Sequence, residues 1–145
     1  MHAQIHGSAL AMLRPMFEAY VRGRWLLYAA ADAAVDDAGR DKFPRDFGLL
    51  LRDLQTVDTA LGPFLAKMKE ANWSALCSFT HTGYLQIGAR LTPAGLGYDH
   101  PERDLVQALG WADFVATLVV GDFANLAGQA AIVSEANRRL EESAR

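Results

Sequence analysis

His6–Tyr28, HGSALAMLRPMFEAYVRGRWLLY, is the stretch on which the fold turns. Read as a helix, it places His6, Leu10, Arg14, Glu18 and Arg22 at successive i, i+4 positions, one slowly drifting stripe that is mostly charged. Leu13, Phe17, Tyr20, Val21, Trp25, Leu26 and Leu27 cover so much of the remaining circumference that such a helix has to be largely buried. Two arginines and a glutamate then sit at the edge of a core, where an unpaired charge is costly and a hydrogen-bonded cluster is required.

Working outward, the helical pattern predicts a first helix from Ala3 to about Asp32, kinked at Pro15 because proline deletes the bond to residue 11, and closed by Gly39. From Phe43 to Glu70, Phe47, Leu50, Leu51, Leu54, Leu61, Leu65 and Met68 recur at three and four, which predicts an amphipathic second helix with Pro44 in its first turn and a bend at Gly62-Pro63. Asn72 is the expected N-cap of a third helix, with Gly83 and Gly88 inside it, where another backbone or a bulky side chain comes close. Leu91–Pro101, rich in proline and glycine, reads as a loop. A last helix, capped by Asp99 or His100, is expected to reach the end of the chain. It carries two apolar faces, one marked by Leu105, Leu109, Ala112, Ala116, Val119, Phe123 and Leu126 and the other by Trp111, Val115 and Leu118. Two apolar faces imply burial from two sides, and the second is expected to pack a homodimer. The resulting fold class is all-α, a single-domain bundle of four main helices over residues 1–145, with no convincing strand. Because the helical pattern begins almost at Met1 without a capping run, a natural N-terminal segment is expected to be missing.

The 145 residues suffice for one core, and a net charge of −3 supplies no general field for nucleic acid or anionic lipid. The longest apolar stretches, around Trp25–Val35 and Phe114–Gly128, are interrupted by Asp32 and Asp122 and fall short of a membrane span. Nothing at the start reads as a signal peptide, so a cytoplasmic protein is expected. The lone Cys77 cannot form an internal disulfide and reads as a small core residue.

Helical metal sites draw on Glu-x-x-His pairs, and none is present: Glu18 is followed at i+3 by Val21 and Glu102 by Leu105. Neither a zinc pattern nor a nucleotide loop occurs, so no metal and no cofactor is expected. Cys77 and His81, at i, i+4, are weak evidence for a thiol nucleophile without a third group. There remain Arg14, Glu18 and Arg22 on the first helix and Thr80, His81 and Thr82 on the third, with Asp113, Asp122, Asn125 and Gln129 as further members. On a structural reading Glu18 pairs with the arginines and His81 is a satisfied interior histidine. On a functional one the same groups, with ligand-binding residues Arg14, Glu18, Arg22, Thr80 and His81, hold a small phosphate or carboxylate. Trp25, Trp73 and Trp111 read as core anchors.

LRPMFEAYVRGRWLLY and, some fifty residues later, NWSALCSFTHTGYLQ resemble a group of bacterial helical domain-of-unknown-function families that share a leucine-arginine-proline-x-x-glutamate motif and a tryptophan-to-threonine-histidine-x-glycine motif. The resemblance implies a compact α-bundle, with Arg14, Glu18, Arg22, Trp25, Trp73, Thr80, His81 and Gly83 at the matching positions, and no substrate. The chain is also distantly similar to the helical bundles of HEPN-type toxins and abortive-infection proteins, ribonucleases that carry arginine, four to six residues, then histidine. Here Ser74, Ala75 and Leu76 stand where that arginine would precede His81, and Pro93, Ala94 and Gly95 where it would precede His100, which speaks against ribonuclease activity. The leading expectation is therefore a non-catalytic binding or interaction protein, in a stress or phage-defence setting. Its rival is a nuclease or other hydrolase with His81 as general acid/base, Glu18 orienting it, and Arg14 and Arg22 on phosphate.

Overall fold

A computed structural model describes residues 6–40, 42, 46–81, 83–97 and 100–143. The fold is all-α. In chain order its helices are α1 (His6–Tyr28), α2 (Asp32–Gly39), α3 (Phe47–Val57), α4 (Gly62–Thr80), α5 (Tyr84–Gly88), α6 (Glu102–Leu126) and α7 (Ala130–Ser143). A two-residue antiparallel pair, Leu91–Thr92 with Gly95–Leu96, ties the loop expected between Leu91 and Pro101.

α1 is the axis of the bundle, packed on α3, α4 and α6. Its Phe17, Tyr20, Val21 and Trp25 bury against Phe47, Leu50, Leu51 and Leu54 of α3, Leu65 of α4, and Val115 and Leu118 of α6. Aromatic edges fix the orientation: Phe17 meets Phe47 and Trp111 edge-on with ring centroids 5.9 and 5.3 Å apart, while Trp73 of α4 stacks on Phe47 at 5.1 Å. Each fully buried ring or branched chain removes enough apolar surface to contribute roughly 1.5–3 kcal/mol.

Helix boundaries depart from the periodic pattern where side chains intervene. α1 runs through Pro15 and stops at Tyr28, so the Ala/Asp-rich stretch beyond it forms the separate α2, without a buried residue. Asp46 caps α3 by accepting from the Gly48 amide at 2.8 Å; Phe43, Pro44 and the start expected there lie outside the described residues. The expected bend at Gly62-Pro63 is instead a helix start. Asp58 ends α3, its carboxylate accepts from the Leu61 amide at 3.0 Å, and Pro63 occupies the first turn of α4, where its missing N–H is no loss. A Cβ on Gly62 would lie 2.5 Å from the Leu54 carbonyl oxygen, so only glycine lets α4 begin this close to α3.

Asn72 does not cap a third helix. Its amide donates to the Met68 carbonyl at 2.9 Å in mid-helix, and α4 continues to Thr80. Gly83 accordingly precedes α5 rather than lying inside a helix. The last helix is not continuous either: Gly128, at φ +68°, turns the chain between α6 and α7. α7 then packs back on α6, with Ala124 and Ala136 buried and Gly121 opposite Ala136. Pro101, not His100, is the residue at the start of α6, and Asp99 lies outside the described residues.

α6 also corrects two expectations. Trp111, Val115 and Leu118, the face assigned to a homodimer, turn into the chain's own core. The other face carries the exposed apolar side chains, Val106, Leu109, Val120, Phe123 and Leu126. By length and composition alone α6 is also long and apolar enough to cross a membrane, although Phe114–Gly128 read as too short. Within the fold it packs on α1 and α7, and Asp122 is held by the Tyr20 and Arg24 side chains of α1.

Candidate functional site

Charged side chains of α1 meet Trp73, Cys77 and His81 at the seam between α1 and α4. Arg14 is the hub. Its Nε donates to Glu18 Oε1 at 2.7 Å, its Nη1 faces Cys77 Sγ at 3.5 Å and His81 Nε2, and its guanidinium lies over the Trp73 ring, 4.5 Å from the centroid. Arg22 reaches the other Glu18 oxygen at 3.5 Å. The side chains of Arg14 and Glu18 are each 20% exposed and that of Arg22 36%, so the cluster is a ledge at the rim of the core.

Thr80 explains how this seam tolerates Pro15. Proline has no N–H, which frees the Ala11 carbonyl of its helical partner. The Thr80 hydroxyl lies 3.3 Å from that carbonyl and 2.9 Å from the Leu76 carbonyl, sharing its one proton between them. Thr80 thereby fastens the end of α4 to α1, and His81, as the C-cap residue with its amide on the Cys77 carbonyl at 2.9 Å, is delivered beside Arg14. Thr82 lies outside the described residues.

The remaining candidates lie elsewhere. Asp122 accepts from Arg24 Nη1 at 2.5 and 2.6 Å and from the Tyr20 hydroxyl at 3.1 Å, and Arg24 Nε donates to Asp58 at 2.8 Å. Burial pushes the Tyr20 hydroxyl well above its usual pKa, reinforced by the Asp122 charge. Burial alone would lower the Arg24 pKa, but hydrogen bonds to Asp122 and Asp58 raise it instead. Burial likewise acts to raise the Asp58 pKa, yet the Leu61 amide and Arg24 hold it below the ordinary carboxylate range. Two carboxylates around one guanidinium leave no positive surplus for an anion, so this second cluster ties α1 to α6 and to the α3–α4 turn. Asn125 lines a cavity of about 290 Å³ beside it. Asp113 lines another with Arg138, Arg139 and Glu142, while Gln129 starts the turn into α7, its amide on the Ala124 carbonyl at 2.8 Å.

Arg24 and Asp58 are not among the residues that the sequence pattern singles out. The available signals were Tyr20 and Arg24 at i, i+4 and an aspartate interrupting the apolar run of α6. The Trp25 indole N–H donates to Asp53 at 2.9 Å. Trp73 covers the Arg14 guanidinium from one side. The best-defined cavities among the described residues are lined by residues other than Arg14, Glu18 and His81. No group of three metal-ligating side chains occurs among the described residues.

A family model described as "Family of unknown function (DUF6988)" matches residues 1–143, and the chain belongs to that family. No curated protein and no solved structure matches the chain.

Proposed function

We propose that this member of a family of unknown function is a non-catalytic binding protein, and that Arg14, Arg22 and His81 form the docking point of a small phosphate or carboxylate. The observation that carries the reading is convergence: Arg14 and Arg22 both reach Glu18, and His81 stands against Arg14. The three lie on a ledge where the Arg14 and Arg22 side chains are 20% and 36% exposed, and guanidinium N–H groups suit the oxygens of a phosphate or carboxylate. Trp73 and Glu18 hold Arg14 in place, so little side-chain entropy is lost on binding. The geometry favours binding over hydrolysis because Arg14 stands with Nε on Glu18 and Nη1 on His81, occupying the place a Glu18–His81 relay needs.

The test is thermal melting with inorganic phosphate. With phosphate at tenfold its Kd, the stabilisation is about 1.4 kcal/mol, or roughly 3–5 °C for a chain of this size. Arg22→Gln is expected to keep the melting temperature in buffer and to abolish the phosphate shift. No shift in the wild type, or an equal shift in Arg22→Gln, would overturn the proposal. So would RNA cleavage that disappears in His81→Ala at unchanged melting temperature, which would hand the site to the hydrolase reading.

A further inference from the structure

The face of α6 that points away from the core is apolar along its length. Leu105, Leu109, Ala112, Ala116, Val120, Phe123 and Ala127 follow one another at three and four, within about 40° of a line through Ala116 at 100° per residue. Leu109 is 70% exposed and Phe123 69%. On one flank, Met16, Ala19, Gly23 and Leu27 of α1 continue the surface into a groove of about 470 Å³ against Val119 and Phe123. A Cβ on Gly23 would meet nothing within 4 Å, so the groove floor is open.

We infer that a second copy of this chain covers this face, through antiparallel pairing of the two α6 helices about a two-fold axis at Ala116. The pattern is its own complement. Leu109 and Phe123 lie seven residues to either side of Ala116, so the axis sets Leu109 of one copy opposite Phe123 of the other and Ala112 opposite Val120, while Ala116 faces itself. Bulky side chains thus meet at both ends and small ones at the centre, where two helices can approach closely. Leu109, Val120, Phe123 and Leu126 are each more than half exposed, and with Leu27 of α1 they form a contiguous apolar patch of the kind that marks an interface. Electrostatics do not oppose it. Asp113, the charge nearest the middle of the stripe, shares a cavity with Arg138 and Arg139 of α7.

Light scattering after gel filtration is expected to give twice the 15.8 kDa of one chain. Phe123→Glu and Leu109→Glu, both at exposed positions, are each expected to give monomers with unchanged helix content. In a Cys77→Ala background, Ala116→Cys is expected to form a disulfide-linked dimer under mild oxidation, since Cβ atoms on the axis fall within the roughly 4 Å a disulfide spans. Ser134→Cys, on the exposed side of α7, should not. A wild type that is monomeric at its highest soluble concentration, a dimer indifferent to both glutamates, or cross-linking at Ser134 and not at Ala116 would overturn the inference. Monomeric protein that partitions into phosphatidylcholine vesicles would also overturn it, by assigning the face to lipid.

Discussion

Arg24→Met separates the charge network from the packing it sits in. Methionine keeps much of the aliphatic stem but removes the cation between Asp58 and Asp122. Asp122 keeps the Tyr20 hydroxyl and Asp58 keeps the Leu61 amide, yet two carboxylates now share a site without a counter-ion. Breaking a fully buried pair costs about 3–5 kcal/mol. With Asp58 13% and Asp122 25% exposed, water recovers part of that, and a loss of about 2–3 kcal/mol at pH 7 is expected. For this chain length that is a drop of roughly 4–10 °C in Tm. Urea unfolding followed by circular dichroism at pH 7 and pH 3 measures it. Because Arg24 and the Leu61 amide hold the folded Asp58 pKa down, its contribution is complete above the ordinary aspartate value of about 4 and is lost as pH falls through the lower folded value. The gap between wild type and variant should therefore narrow at pH 3. A loss under about 0.5 kcal/mol at pH 7, within the range of an ordinary surface substitution, or an equal loss at both pH values, would refute the reasoning.

Thr80→Val leaves the Ala11 carbonyl without the hydroxyl and should cost about 1 kcal/mol, less in a Pro15→Ala background, where the restored amide reaches the same carbonyl; a double-mutant cycle by thermal melting reads the coupling. Gly62→Ala drives a methyl into the Leu54 carbonyl and should cost about 1–3 kcal/mol in urea unfolding, whereas Gly23→Ala, which meets only open space, should not destabilise the fold.

What the sequence made legible was whatever neighbouring residues encode. The burial of α1 followed from its apolar circumference, and Arg14, Glu18 and Arg22 from their spacing of four. The Arg24 network was illegible because its partners lie 34 and 98 residues away, and an isolated arginine says nothing about which aspartate it will meet. Boundaries failed where one residue has two uses. Asn72 could cap a helix or bond back within one, and Gly-Pro could bend a helix or start one. Both faces of α6 were visible as apolar, but equal hydrophobicity does not say which is inward. That was decided by Phe17 receiving Trp111 and by Asp122 meeting Tyr20.

The long span between Tyr20 and Asp122, 102 residues, also bears on how the protein comes into being. At 5–20 residues per second, a ribosome needs roughly 5–20 s to make the segment that α1 must wait for. Throughout that interval Phe17 and Tyr20 have only part of their final surroundings, so chaperone demand during translation should peak before α6 leaves the exit tunnel and fall once it docks.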